Sequence, residues 1–193
     1  MASLLQQNKS LVVPSMQTDG SLLEGAKRMN RKALISIFDY YSSALYNYAL
    51  RLCGDPMKAD NIVGDVFAKL LDKFAKGKGP STNLRSYLYQ MTYHMIVDDA
   101  RFSSREAPLD VYDLTQGRET KFLPNLENRI VLDTLLVAIR NDLTEDQRHV
   151  IILRFIEDFS LRETAEIIDK KVQNVKVIQN RGIAKLRKVL DIR

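Results

Sequence analysis

Apolar residues recur along the chain at spacings of three and four, the period that lines one face of an α-helix. Leu34, Phe38, Tyr41, Leu45, Tyr48 and Leu52 form such a stripe over about 31–53, and Gly54-Asp55-Pro56 ends it. Pro56 suits the first turn of the next helix. That helix runs to about residue 75 with Ile62, Val66, Phe67, Leu70, Leu71 and Phe74 as its apolar positions. After the Gly77-Lys78-Gly79-Pro80 break, Ser81 or Thr82 is placed to cap a fourth helix to about residue 102, where Met91 and Met95 share a stripe with Tyr87 or Leu88. An earlier helix is predicted over 21–30, with Ser21 as cap and Glu24 three residues on, as in a capping box. Residues 1–20 are polar and mixed and read as a flexible N-terminal tail.

Residues 104–125 carry Pro108, Gly117 and Pro124 among mixed charges, the composition of an interdomain linker. Helical periodicity resumes over 126–140, 144–157, 161–168 and 172–190. Thr144 is a good cap, and Glu145 and Asp146 behind it suit the positive end of a helix. The predicted fold is therefore all-α: two small helical domains, 21–103 and 126–193, joined by a flexible linker.

Composition narrows the function. At 193 residues, 45% hydrophobic and 27% charged, the chain can build a core and does not have a disordered composition. No apolar run is long enough to span a bilayer, and the N-terminus lacks a signal-peptide pattern. One cysteine, Cys53, cannot form an intrachain disulfide, and two histidines, His94 and His149, do not complete a usual zinc set with it. Asp98 and Asp99 are adjacent on a helix and point about 100° apart, so they do not make a metal pair. No Ser-His-Asp, Cys-His or phosphate-loop arrangement is present, and His149 sits inside an apolar run. The expectation is a soluble cytoplasmic protein with no metal, no cofactor and no enzymatic activity.

The net charge of +5 is unevenly placed. Lys170, Lys171, Lys176, Arg181, Lys185, Arg187 and Lys188 lie in one stretch with no acidic residue between them, which leaves the remainder slightly acidic. A basic end on a balanced chain points to a polyanion there. The same stretch has helix-turn-helix spacing: a short helix with Leu161, Ala165 and Ile168, a tight turn at Asp169, then a second helix with Val172 and Val175 facing back. Asp169 stands where such turns need a left-handed backbone, which Asp tolerates. Gln173, Asn174, Lys176, Val177, Asn180 and Arg181 then fall on the exposed side, with Lys171 and Lys185 beside them. Amides and Arg suit base edges, Lys and Arg suit phosphates, and Val can touch a thymine methyl.

The run LISIFDYYSSALYNYALRLCGDPMKADNIVGDVFAKLLDKF, with LRSYLYQMTYHMIVDDAR after it, resembles region 2 of the extracytoplasmic-function sigma factors of the sigma-70 family. LTEDQRHVIILRFIEDFSLRETAEIIDKKVQNVKVIQNRGIAKLRK resembles their region 4. The resemblance implies a transcription initiation factor that binds core RNA polymerase, at the clamp helices of its largest subunit and the flap of the second-largest, and directs it to promoter DNA. Asp60, Asn61, Asp65, Val66 and Phe67 match the polymerase-docking motif, although Gly64-Asp65 stands where the family generally has Gln-Glu. The fourth helix would handle the −10 element through Asn83, Arg85, Tyr87, Gln90, Tyr93, His94 and Arg101, with Tyr89, the loop 76–83 and Arg105 nearby. Region 4 would read the −35 element through the basic helix. Here Gln173-Asn174-Val175-Lys176-Val177-Ile178 replaces the Gly-Thr-Val-Lys-Ser-Arg common in relatives, and Gln179 takes a normally apolar position. An anti-sigma factor is the further partner the family implies. The alternative reading is a freestanding helix-turn-helix regulator that binds duplex operator DNA as a dimer.

Overall fold

Asn30, Asp55, Thr144 and Ser160 each close the first turn of a helix with a side-chain oxygen, and these four caps set the starts of α-helices in both halves of the chain. The computed structural model describes residues 16–103 and 126–190, with side chains over 20–100 and 134–190. Among the described residues there are eight helices and no strand. The N-terminal bundle holds α1 (Met16–Lys27), α2 (Arg31–Cys53), α3 (Pro56–Ala75) and α4 (Leu84–Ser103). The C-terminal bundle holds α5 (Leu126–Asp142), α6 (Glu145–Phe155), α7 (Leu161–Ile167) and α8 (Val172–Val189). The expected linker 104–125 lies outside the described residues.

Asn30 Oδ1 accepts from the amides of Lys32 and Ala33 at 3.0 and 3.2 Å to start α2. At its other end Gly54 adopts φ +69° and sends its N–H to the Leu50 carbonyl at 2.8 Å, a left-handed stop that a side chain would strain. Asp55 then caps α3, with Pro56 in the first turn as expected. Thr144 and Ser160 both form reciprocal capping boxes, with Gln147 and Glu163 respectively.

Two expected starts are corrected. α1 begins at Met16, so residues 16–20 belong to a helix rather than to the tail, and Ser21 lies inside it instead of capping it. Asn83, not Ser81 or Thr82, closes α4: its Oδ1 accepts from the Ser86 amide at 3.2 Å, with its own backbone at φ +49°.

The buried stripe of α2 is Ile37, Tyr41, Leu45, Tyr48 and Leu52, which shifts the expected register by one position at its start. Phe38 is 48% exposed and packs its ring 4.8 Å from Phe67, at the rim of an open apolar groove with Ile35 and Leu71. From α3 the core takes Ala59, Ile62, Val63, Val66, Phe67, Leu70 and Phe74, and from α4 Leu84, Leu88 and Ile96. Met91 and Met95 only border it. In the C-terminal bundle Ile139, Leu143, Val150, Ile152, Leu153, Phe159, Ile167, Val175 and Leu186 are buried.

The two bundles are not separate. α4 packs against α7, and α2 against α5 and α6, so the buried apolar residues form one continuous core. Gly54, at the end of α2, lies directly beneath the Arg140 guanidinium of α5. The two helical domains expected from the sequence are both present, and the structure places them in contact with one another.

Candidate nucleic-acid and polymerase interface

The basic helix α8 is held on a helix-turn-helix frame. Ser160 starts α7, and Ala165, 4% exposed, leaves room for the helices to approach. The turn closes with the Ile168 amide on the Thr164 carbonyl at 3.1 Å and the Lys170 amide on the Ala165 carbonyl at 2.9 Å. Asp169 sits between them at φ +51°, the left-handed residue of a Schellman-type ending. Lys170 Nζ reaches Asp146 Oδ2 at 3.1 Å and ties the turn to α6.

Val175, Gly182 and Leu186 form the inner face of α8. Gly182 lets α8 come close to α6, since a Cβ there would stand 3.2 Å from Ile151 Cγ1. Val172, expected to face inward, is 45% exposed because it opens the helix at the rim of the turn. Gln179 is half-buried, and Arg154 Nε donates to its Oε1 at 3.0 Å, so a polar residue in a normally apolar place has a partner. On the outer face Lys171, Gln173, Asn174, Lys176, Val177, Asn180, Arg181 and Lys185 are all exposed. The structure thus gathers the whole expected −35 set on one solvent-facing surface.

On α3, Asp60, Asn61 and Asp65 are exposed. Asn61 and Asp65 line a polar groove between α3 and α4 with Lys69, Asp98 and Asp99, and Lys58 bridges it to Asp99 at 3.3 Å. Val66 and Phe67, matched to the same docking motif, are buried in the bundle core and support that surface from beneath.

The expected −10 set is divided. Asn83 and His94 are exposed, and half-buried Tyr87 has Lys73 Nζ 5.6 Å above its ring. Arg101 lies outside the residues whose side chains are described. Arg85, Gln90 and Tyr93 face the C-terminal bundle. The Arg85 guanidinium donates to the backbone carbonyl of Glu157 and lies 3.9 Å from the Phe159 ring centroid. Gln90 Nε2 donates to the Glu166 carbonyl at 3.0 Å, and the Tyr93 ring stands edge-on to His149 at 4.7 Å. Tyr89, only 1% exposed, donates its hydroxyl to the Glu157 carboxylate.

Glu157 is the polar centre of this junction. Its carboxylate also accepts from Arg51 at 2.8 Å. Burial pushes its carboxyl above the usual carboxylate range, against the opposing pull of the Tyr89 hydrogen bond and of Arg51 and Arg85. Sequence reasoning did not single out Arg51, Glu157 or Phe159. Their partners are drawn from the far half of the chain, and no local period marks them.

Similarity to known proteins agrees with this geometry. Residues 37–106 match the sigma-70 region 2 family and residues 141–188 the sigma-70 region 4 family. The chain is 28% identical over 163 residues to the ECF RNA polymerase sigma factor SigX of Bacillus subtilis, covering 81% of this chain and 82% of that one. It is 24% identical over 180 residues to SigW of the same organism, covering 87% and 94%. Among solved structures, CnrH in complex with the cytosolic domain of CnrY superposes with a TM-score of 0.63 at 19% identity, over 90% of this chain and 97% of that one. The sigma factor RpoE in complex with the anti-sigma factor NepR from Bartonella quintana gives the same score at 21% identity, over 83% and 98%. Both share the all-helical fold. With both regions present, in order and in one chain, the protein belongs to the extracytoplasmic-function group of the sigma-70 family of RNA polymerase sigma factors.

Proposed function

We propose that this sigma factor docks on core RNA polymerase through the outer face of α3, reads a −35 element with α8 and captures the unpaired −10 strand with α4. The observation that carries the reading is the outer face of α8, basic and without an acidic residue, on a braced helix-turn-helix. Asn180 and Arg181 are suited to base edges, Lys176 and Lys185 to phosphates, and Val177 to a thymine methyl. α8 carries no side-chain cap, so the amides of its first turn are available to a phosphate oxygen.

Melting without ATP needs flipped bases to be held strongly enough to offset lost stacking, a few kcal/mol per base. Tyr87, Tyr93 and His94 supply stacking faces, Asn83 and Gln90 hydrogen bonds, and Arg85 and Arg101 phosphate contacts. Asp60 and Asp65 put two carboxylates on the proposed docking face, with the neutral amide of Asn61 beside them. The solved relatives bound to CnrY and NepR support an anti-sigma factor as a further partner. A role on the polymerase places the protein in the cytoplasm, and no described helix is long and apolar enough to cross a membrane.

Co-elution with core polymerase tests the docking step. The wild-type chain is expected to co-elute with core, and Asp65→Arg to lose that association while keeping its helical circular dichroism. No association of the wild type, with tight dimeric binding to duplex DNA instead, would favour a freestanding operator-binding regulator.

A further inference from the structure

The basic helix α8 sits on its frame by a thin inner face. Val175, Gly182 and Leu186 are its buried residues, Ile178 and Ile183 border the core, and Gly182 contributes no side chain. Apolar contact is non-directional, so it holds α8 down without fixing how far the helix is turned about its own axis. A directional contact reaches the middle of α8 from α6: Arg154 Nε donates to Gln179 Oε1 at 3.0 Å. The same guanidinium donates to the carbonyl of Phe159, a fully buried residue just before the α7 cap Ser160. One planar group thus fastens the end of α6, the entry to α7 and the centre of α8.

We infer that Arg154 and Gln179 are positioning residues for the −35 reading: their hydrogen bond sets the rotation of α8, and with it the base edges that Asn180 and Arg181 reach. This inference rests on the duplex-reading role of α8 proposed above. Gln179 directly precedes Asn180 and lies within one turn of Lys176 and Arg181, so its setting is passed to all three. A rotation of about 20° moves a side-chain end about 5–6 Å from the helix axis by about 2 Å. That is more than a bidentate contact to a base edge tolerates. The pair is an expensive way to hold two helices together, since both side chains are half-buried and give up water. Its effect is on geometry rather than on stability. A hydrogen bond from a planar guanidinium that is already anchored at Phe159 is satisfied in one arrangement of α8, whereas an apolar contact is satisfied in many.

The test is selection by the full chain bound to core polymerase, from a pool of duplexes randomised over the −35 segment, with sequencing of the bound fraction. The wild type is expected to select one preferred sequence. Gln179→Met is close in size but lacks the acceptor. It should keep its helical circular dichroism and its salt slope, yet lose discrimination about tenfold at the base pair that Arg181→Ala also relaxes. Gln179→Glu still accepts from Arg154 and should keep the wild-type preference, with affinity lowered for all sequences alike. Arg154→Lys keeps the charge but not the two-way fork, and should broaden the preference as Gln179→Met does. The double variant should be no broader than either single one. An unchanged preference in Gln179→Met or Arg154→Lys overturns this inference and leaves the proposed function standing. So does an even loss over all sequences with a salt slope lower by about 1 in Arg154→Lys, the mark of a phosphate contact. No sequence preference in the wild type overturns the proposed −35 reading, and this inference with it. If Gln179→Met does not fold, Gln179→Asn carries the test, because its carbonyl, one methylene shorter, falls short of Arg154. The same broadening is expected there, and an unchanged preference overturns the inference.

Discussion

Tyr48 and His149 stand 101 residues apart in the chain, yet the Tyr48 hydroxyl and His149 Nδ1 lie 2.9 Å apart at the junction of the two bundles. Both side chains are buried, with the Tyr93 ring against the imidazole. Burial, with Arg148 adding to it, pushes His149 from its ordinary 6.5 down to about 3. The imidazole is therefore neutral in the folded chain, and the unfolded chain takes up the proton first on acidification. The stability due to keeping His149 neutral is present above pH 6.5 and is lost as pH falls below it, by up to about 1.4 kcal/mol per pH unit. Glu157 acts in the opposite sense, since its raised pKa means the folded chain is the one that binds a proton above 4.5. A comparison with His149→Asn isolates the histidine. Thermal unfolding followed by circular dichroism should show wild type losing stability relative to the variant as pH falls from 7 to 5. A constant difference would contradict the buried neutral histidine.

Gly64 lies on the exposed side of α3, and a Cβ added there meets nothing within 4 Å. Gly64→Ala is expected to stabilise the chain by about 1 kcal/mol through helix propensity. That corresponds to a rise in Tm of about 2–4 °C for a chain of this size. Differential scanning calorimetry measures it.

Asp169 holds φ +51° at the turn between α7 and α8. Asp169→Val is expected to cost about 1–2 kcal/mol, because a β-branched residue resists the left-handed region. Asp169→Gly should fold as well as wild type. Urea denaturation of the three proteins checks the order.

Within α8, Lys176 and Arg181 are assigned different tasks. Lys176→Ala should weaken binding to all duplexes alike and reduce the salt slope of the affinity by about 1. Arg181→Ala should cost about 1–3 kcal/mol on the preferred −35 sequence and relax discrimination at one base pair. Fluorescence anisotropy of the chain bound to core, titrated at several salt concentrations, separates the two.

Much of this was legible along the chain. Gly54 and Pro56 stop one helix and start the next, Asp169 marks the turn, and the acid-free basic run of α8 marks its outer face. These are local signals, readable within one or two turns. What the sequence left open is tertiary. Phe38 has the right spacing for the core but stands at a groove rim, because Ile37 takes the inner position in a helix 23 residues long, where a small drift in phase decides the face. Arg85, Gln90 and Tyr93 have side chains suited to DNA, and the same donors and rings serve equally well against Glu157, Glu166 and His149. Nothing in the period of α4 says which partner it meets.

The most direct measurement is run-off transcription by core RNA polymerase on a pool of candidate promoters, with and without this protein. Defined transcripts that appear only with the protein, vanish with Asp65→Arg and weaken with Arg181→Ala, are the predicted result. Absence of any protein-dependent transcript, with the free chain binding duplex DNA tightly as a dimer, would contradict it.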